Sequence, residues 1–188
     1  MNDFVQDYKS RLFHALDTIP LDKVGQAIAW LDEARAAGRR IFTCGNGGSA
    51  ASASHIVCDM VKGASYQRDR RFKMMALTDS LPTLTAYSND VGYEVVFVEP
   101  LKNFAEPGDI LIAVSGSGNS PNVLKAVEWA NQNGLKTIGL TGRDGGRLGQ
   151  MAQLEIRVAD PHMGRIEDGH MIILHMIGYY FMEQGGGC

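Results

Sequence analysis

The chain has 188 residues, of which 45% are hydrophobic and 21% are charged, and its formal net charge at pH 7 is −3. The length suits a single domain covering 1–188, and the composition excludes a disordered chain. The negative charge disfavours nonspecific nucleic-acid binding, which requires surplus positive charge, so no direct nucleic-acid partner is expected.

The N-terminal stretch MNDFVQDYKS carries charges throughout, and no apolar run approaches the ~18 residues that identify a membrane span. We therefore expect a cytoplasmic protein without a membrane partner. The three cysteines form neither a disulfide framework nor a CxxC zinc pair. Cys44 and Cys58 are expected to be small buried side chains.

Two helical patterns come first, over 2–19 and 21–37, and they predict a helical hairpin. Short apolar segments then alternate with helical ones, which predicts an α/β fold: a central parallel sheet flanked by helices in three layers. The glycine-rich tail, 185–188, is expected to be flexible. The apolar segments are RIFTC, KMMALT, DILIAVS, KTIGLT and LEIRV, and the helical ones are 48–62, 81–104, 121–133 and 166–182.

Two glycine-rich loops, CGNGGS from Cys44 and SGSGNS from Ser115, each follow a predicted strand. Ligands of open α/β sheets collect beyond the carboxyl ends of the strands, so both loops are expected to face one pocket. The first loop also satisfies the dinucleotide pattern G-x-G-x-x-A. A ribose-binding acid would then follow about 20 residues later, whereas Asp79 comes more than 30 residues after Gly45. No nucleotide cofactor is expected.

The serine-rich loop is the stronger signal. Ser115, Ser117 and Ser120 are interleaved with glycines directly before Pro121, which is a favourable first residue of a helix. Hydroxyls and free backbone N–H groups would converge there, at the positive end of a helix dipole, and could hold a phosphate without a lysine. The alternative is an ordinary turn with Ser120 as a helix cap. A second strand exit, GLTGRDGG at 139–146, is expected to be structural.

Acidic and imidazole groups follow on two predicted helices. His55 and Asp59 are four residues apart and therefore share one helix face. The segment RIEDGHMIILH near the end of the chain adds four more such groups. They are Glu167, Asp168, His170 and His175.

These motifs resemble the sugar isomerase (SIS) domain family, and specifically its phosphoheptose isomerase branch. The likeness covers nearly the whole chain, including the leading hairpin, CGNGGS, SND at 88–90, SGSGNS, LTGRDGG, EIRV and RIEDGHMIILH. It implies an SIS fold and the interconversion of sedoheptulose 7-phosphate and D-glycero-D-manno-heptose 7-phosphate through an enediolate.

The resemblance also implies roles for individual residues. Asp59 and His175 would transfer the protons, in an order that the sequence does not assign, and a zinc ion would be held by His55, Asp59, Glu167 and His175. Asp59 and Glu167 would also contact the substrate. The remaining substrate-binding positions would be Asn46, Gly47, Gly48, Asn89, Asp90, Ser115, Gly116, Ser117 and Ser120.

Four positions depart from the family pattern. Asp59 stands where the family has Glu, Glu167 where it has Gln, Gly116 where it has Thr, and Gly164 where it has an acid. The aspartate retracts its carboxylate by roughly 1–1.5 Å, a displacement that can cost ~100-fold in rate. The glutamate adds a negative charge that would strengthen metal binding or raise a neighbour's pKa.

Glu167 and His175 are eight residues apart, so on one straight helix their Cα atoms would lie about 12 Å apart along the axis. Either the last helix starts after Glu167, near Gly169, or the site takes residues from neighbouring subunits. The resemblance implies a homotetramer with interfacial active sites, in which the hairpin 1–37 takes part. It also leaves open an alternative: a non-catalytic SIS scaffold of the kind that associates with the replication initiator DnaA, or a sensor of a phosphosugar.

Overall fold

The computed structural model describes residues 1–184; the predicted flexible tail, 185–188, lies outside the described residues. The described residues form five strands and eight α-helices. The strands are β1 Arg40–Gly45, β2 Lys73–Ala76, β3 Ile110–Ser115, β4 Lys136–Gly142 and β5 Leu154–Val158. The helices are α1 Asn2–Asp17, α2 Leu21–Ala36, α3 Gly48–Cys58, α4 Leu81–Asp90, α5 Val98–Phe104, α6 Pro121–Gln132, α7 Gly146–Met151 and α8 Met163–Glu183.

The five strands form one parallel sheet in the order β2-β1-β3-β4-β5. Every residue of β3 is buried, as expected for the central strand of a sheet that is covered on both faces. The chain winds outward from β1 to β2 in one direction and from β3 to β5 in the other. The carboxyl ends of β1 and β3 therefore flank the crevice where open α/β sheets bind ligands.

Helices cover both faces of the sheet, because successive strand side chains point to opposite sides. Ile41 of β1 packs in the core cluster that includes side chains of α2, α3 and α8. Its neighbour Phe42 packs in a second cluster with side chains of α5, α6 and α7. The predicted three-layer α/β architecture with a leading helical hairpin is confirmed.

Several local predictions need correction. The predicted helical region 81–104 is divided into α4, a 3₁₀ turn at Tyr93–Val95 and α5, because Gly92 between the first two adopts φ +150°, outside the helical range. Cys58 is exposed, contrary to expectation, since it lies on the outer side of α3. Cys44 is buried as expected, and burial raises the pKa of its thiol to about 12.

The helical hairpin packs against α8, with the hydroxyl of Tyr8 donating a 2.6 Å hydrogen bond to Asp168. The large apolar side chains of α1 face outward: Phe4, Val5 and Phe13 are each more than half exposed. The inner contact comes instead from Ala15, which is 2% exposed. Across residues 1–184, the structure contains no helix that is long and apolar enough to cross a membrane.

Candidate active site

The first glycine-rich loop brings the backbone close to the end of the sheet. A Cβ on Gly45 would lie 2.7 Å from the carbonyl oxygen of Ser49, so no side chain fits where β1 turns into α3. Gly47 adopts φ +54°, which glycine accepts most readily. The turn leaves Asn46 half-buried beside the N-terminus of α3.

The serine-rich loop brings three hydroxyls together at the end of β3. Ser115 Oγ lies 3.2 Å from Ser120 Oγ and 3.4 Å from Ser117 Oγ. Ser120 directly precedes α6, but its hydroxyl makes no capping hydrogen bond to that helix. The hydroxyl is directed to the serine group instead, so the arrangement resembles an anion-binding cradle more than an ordinary helix cap.

The second glycine-rich exit supports the serine-rich loop from behind. The backbone N–H of Leu148 donates to Gly118 O at 2.8 Å, and that of Arg147 donates to Asn119 Oδ1 at 3.2 Å. Gly118 adopts φ +65°, and a Cβ there would lie 2.0 Å from the carbonyl oxygen of Gly145. The segment 139–146, together with the first turn of α7, therefore has a structural role in supporting the serine-rich loop.

A cavity of about 270 Å³ opens between the two loops, and we call it the serine cavity. Glu167 of α8 forms part of its wall, and its carboxylate would meet a Cβ placed on Gly48 at 2.5 Å. The room left by Gly116 is taken by Met163, whose sulfur would lie 2.6 Å from an added Cβ. The predicted substrate-binding residues that line this cavity are Asn46, Gly47, Gly48, Ser115, Gly116, Ser117, Ser120 and Glu167.

A second polar group lies further along α3 and α8. The Nε2 atoms of His55 and His175 are 3.0 Å apart, and Asp59 Oδ2 lies 3.4 Å from the first and 3.9 Å from the second. Asp59 begins a π-helical turn that continues α3, in which the N–H of Ala64 donates to Asp59 O at 2.9 Å. Such turns occur frequently at functional sites.

This His/Asp/His group has the donor set of a metal site. Asp59 Oδ2 is buried, and it has no hydrogen-bond partner among the described residues. All three ligand atoms lie within 4.8 Å of one another. Two ligands of one tetrahedral zinc ion lie roughly 3.3 Å apart at ordinary Zn–N distances, close to the spacing of these donors. The residues present therefore fit zinc, and the shorter side chain of Asp59 still reaches both imidazoles.

Glu167, the fourth predicted ligand, is not part of this group within one chain. Helix α8 begins at Met163, so the alternative in which it starts near Gly169 is wrong. Glu167 and His175 stand on one continuous helix, about 12 Å apart along its axis. Glu167 therefore lies with the serine-rich loop, and only three of the four predicted metal residues come together.

Helices α3 and α8 lie side by side and run in the same direction. Gly48 contacts Glu167 at one end, and His55 contacts His175 further along. A Cβ on Gly178 would lie 3.6 Å from the Cβ of Asp59, which continues the same register. The helix pair thus carries the serine cavity and the His/Asp/His group on a common frame.

Asn89 and Asp90 are exposed at the C-terminal end of α4. Their side chains bond to each other at 2.8 Å, and Asp90 lines a separate cavity on α4. One chain therefore does not bring them into the serine cavity.

The sequence also singled out Asp168 and His170, and both have structural partners. Asp168 accepts the hydrogen bond from Tyr8. His170 is fully buried, with Nε2 2.8 Å from the carbonyl oxygen of Thr141. Burial lowers the pKa of His170 to about 4, so its imidazole is neutral at pH 7. Neither residue reaches the cavity.

Sequence reasoning missed two residues that contact Asn46. The side-chain amides of Asn46 and Asn122 exchange two hydrogen bonds of 2.9 Å, and the hydroxyl of Tyr93 donates to Asn46 Oδ1 at 2.8 Å. Asn122 directly follows Pro121 at the start of α6 and is buried there. The signal that the sequence offers is an asparagine directly after the serine-rich loop.

Comparison with known proteins agrees with this geometry. The model of the SIS domain family matches residues 3–142. A phosphoheptose isomerase of Nitratiruptor sp. is 42% identical over 140 residues, covering 74% of each chain. One from Geobacter sulfurreducens is 35% identical over 167 residues, covering 89% of this chain and 88% of its own.

A solved structure of phosphoheptose isomerase from Neisseria gonorrhoeae superposes with a TM-score of 0.89 at 30% identity, over 97% of this chain and 98% of that one. Both the family model and the relatives span most of this sequence. The chain therefore belongs to the SIS domain family.

Proposed function

We infer that this protein is a sugar-phosphate isomerase that interconverts sedoheptulose 7-phosphate and D-glycero-D-manno-heptose 7-phosphate. The observation that carries this inference is the separation of two chemically different groups on one helix pair. Gly48 and Glu167 line the serine cavity at one end of the pair, and His55 and His175 of the His/Asp/His group lie further along it. The names of the similar proteins, phosphoheptose isomerases, agree with it.

The separation fits a seven-carbon sugar phosphate. Seven residues of α3 from Gly48 to His55 and eight of α8 from Glu167 to His175 span roughly 10–12 Å. An extended chain of seven carbons plus its phosphate ester reaches roughly 10 Å from phosphorus to C1, at single-bond lengths near 1.5 Å. A phosphate in the serine cradle would therefore bring C1 and C2 to the His/Asp/His group.

The serine-rich loop would hold the phosphate. Hydroxyls of Ser115, Ser117 and Ser120 would donate to its oxygens, while the N-terminus of α6 supplies a positive dipole. Asn46, Gly47 and Gly48 would contact the sugar from the opposite side of the cavity, Gly116 would keep the loop backbone close to the ligand, and Glu167 would accept from sugar hydroxyls. Asn89 and Asp90 would contact the sugar from a neighbouring copy of the chain, since they lie outside the cavity of their own.

The reaction moves a proton from C1 to C2 through an enediolate. Asp59 and His175 would act as base and acid, because an isomerase needs one group to remove a carbon-bound proton and another to serve the neighbouring oxygen. Asp59 Oδ2 and His175 Nε2 are 3.9 Å apart, so the two side chains are close enough to act on a carbon and on the oxygen of its neighbour in one substrate. His55, Asp59 and His175 would also hold a zinc ion, which when bound would polarise the carbonyl oxygen of the open-chain sugar in place of a protonated acid. The base would then be the carboxylate oxygen of Asp59 that does not bind the ion.

The surface around this group supports a homo-oligomer. His55 and His175 are 46% and 41% exposed at their side chains, and the exposed ring of Tyr179 packs edge-on against His175 at 5.9 Å. Other large apolar side chains on α8 and on the segment after α3 are also exposed: Val61, Tyr66, Met176 and Tyr180. We propose that a second copy of the chain covers these side chains. The hairpin 1–37, with its outward Phe4, Val5 and Phe13, would contribute to a tetramer. The partner's Glu167 would complete the metal site. Light scattering that gives the 20.5 kDa mass of one chain would contradict the homo-oligomer.

A cytoplasmic location stays a prediction from the sequence.

The test of function is direct observation of the sugar. We expect NMR to show conversion of sedoheptulose 7-phosphate to the aldose, loss of activity in EDTA and recovery with zinc. Fructose 6-phosphate, one carbon shorter, should react at least tenfold more slowly. Absence of turnover of the seven-carbon ketose with and without zinc would contradict the inference and favour the scaffold alternative.

A further inference from the structure

The amide of Asn46 is held in one orientation by two residues that take no part in the proposed reaction. Asn122, at the start of α6, is 1% exposed. Its side chain and that of Asn46 exchange two hydrogen bonds of 2.9 Å across the crevice between β1 and β3. Tyr93, on the 3₁₀ turn after α4, adds a 2.8 Å bond from its hydroxyl to Asn46 Oδ1.

The orientation of both amides follows from one backbone group. The N–H of Val123 can only donate, and it lies 3.0 Å from Asn122 Oδ1, so that atom is the oxygen. The nitrogen of Asn122 must then donate to Asn46 Oδ1, and the nitrogen of Asn46 must donate to Asn122 Oδ1. The hydroxyl of Tyr93 takes the second lone pair of Asn46 Oδ1.

One group of the Asn46 amide is left over. Its oxygen has accepted two hydrogen bonds, which fills its two lone pairs, and one of its two N–H bonds is used. Asn46 lines the serine cavity, so the remaining N–H is what it can offer to a ligand there.

We propose that Asn122 and Tyr93 are positioning residues that make Asn46 a donor only, directed at an acceptor oxygen of the bound sugar phosphate. This proposal deepens the proposed function and rests on it for the identity of the ligand. An amide free to rotate would present its oxygen half of the time and would meet the oxygen-rich ligand with a repulsive contact. The pair also ties the loop after β1 to the helix after β3, so both walls of the cavity move together.

The kinetic test removes each partner in turn. Because Asn46 would contact the ligand equally in the ground and transition states, losing its orientation should raise KM and leave kcat nearly unchanged. We expect Asn122→Ala to raise KM roughly tenfold or more and Tyr93→Phe to raise it roughly three- to fivefold, with kcat within threefold. Tyr87→Phe removes a tyrosine hydroxyl on α4 that is not part of the group formed by Asn46, Asn122 and Tyr93. It should change neither KM nor kcat.

A spectroscopic test distinguishes positioning from general support of the fold. In protein labelled at asparagine with ¹⁵N, sedoheptulose 7-phosphate added in EDTA should shift one of the two Hδ2 resonances of Asn46. The other, bonded to Asn122, should stay in place. In Asn122→Ala, which removes the partner that fixes the amide, both resonances should respond.

The outcomes separate the two proposals. If backbone amides of the serine-rich loop respond to the ligand while neither Asn46 resonance moves, or while both move in the unaltered protein, the positioning proposal is wrong. An unchanged KM in Tyr93→Phe would also overturn it, even if Asn122→Ala does not fold. If the unaltered protein shows the single shift but no turnover with zinc, the isomerase proposal fails and the positioning proposal stands.

Discussion

The serine cavity and the His/Asp/His group differ in how the chain builds them. The cavity is made where strands end: Ser115 is the last residue of β3, and Ser120 lies five residues further along the same loop. The His/Asp/His group is made from the sides of two helices, with His55 and His175 separated by 120 residues in the sequence. The first depends on local turns, and the second depends on how α3 and α8 pack.

The difference corresponds to a division of chemical roles. The cavity offers hydroxyls, backbone N–H groups and the end of a helix dipole, which bind an anion without exchanging protons. The helix pair offers two imidazoles and a carboxylate, which can transfer protons or hold a metal. Changes in the cavity should therefore act on substrate binding, and changes on the helix pair should act on the chemical step.

The largest effect is expected on the helix pair. His175→Ala removes the imidazole that is proposed to take part in proton transfer and metal binding, so kcat should fall roughly 100-fold or more while KM changes little. His14→Ala, at an exposed histidine on α1, is the matched control and should keep full activity. Steady-state kinetics with sedoheptulose 7-phosphate provide the measurement. A rise in KM at unchanged kcat would show that the division of roles is wrong.

The next effect tests the turn that forms the cavity. Gly118→Ala places a Cβ 2.0 Å from the carbonyl oxygen of Gly145 at φ +65°, so the serine-rich loop must move. We expect a loss of about 2–4 kcal/mol in the free energy of unfolding, measured by urea denaturation, together with weaker substrate binding.

Gly25→Ala is the matched control for that substitution. Gly25 lies within α2, and none of residues 1–184 comes within 4 Å of an added Cβ. Alanine should stabilise the helix there by up to about 1 kcal/mol. If both variants shift stability in the same direction, the contact between Gly118 and Gly145 does not constrain the loop.

A smaller effect is expected at a single hydroxyl of the cavity. Ser120→Ala removes one of the proposed donors to the phosphate, so KM should rise roughly tenfold at nearly constant kcat. Ser80→Ala is the matched control, because Ser80 precedes α4 as Ser120 precedes α6 and its hydroxyl bonds to that of Thr83. An equal change in both variants would mean that Ser120 acts only at the start of its helix.

Sequence reasoning predicted the cavity well because its signals are local. Each strand is a short apolar run, and the glycines and serines that follow must lie at the carboxyl edge of the sheet once the strands are parallel. It predicted the residue types of the second site, but not which would meet. Five residues of an α-helix turn about 140° around the axis, so His170 and His175 face different neighbours. Only the packing of α8 decides that His170 lies in the core.

Two further features could not be predicted from the sequence, because they also depend on how distant segments pack. Glu167 joins the serine cavity because α8 extends without a break to Met163, and a helix boundary cannot be read to within three residues. Asn122 looks like an ordinary first-turn residue of α6. Its role depends on Asn46, which lies 76 residues earlier and meets it only when β1 and β3 pair.

The last prediction concerns the pH dependence of stability at His170, which lies on α8 between the two regions. Its folded pKa of about 4 is below the 6.5 of an exposed histidine, so the unfolded chain binds a proton that the native protein does not. Stability should therefore fall as pH drops from 6.5 towards 4, by up to about 1.4 kcal/mol per pH unit from this residue alone. Urea denaturation at several pH values measures that slope.

The matched comparison for this slope is His170→Gln against His14→Gln. Glutamine can still donate to the carbonyl oxygen of Thr141 but does not titrate, so the first variant should have a flatter dependence of stability on pH over this range. The second changes an exposed histidine and should keep the original slope. Equal slopes in all three proteins would show that burial of His170 does not make the free energy of unfolding depend on pH.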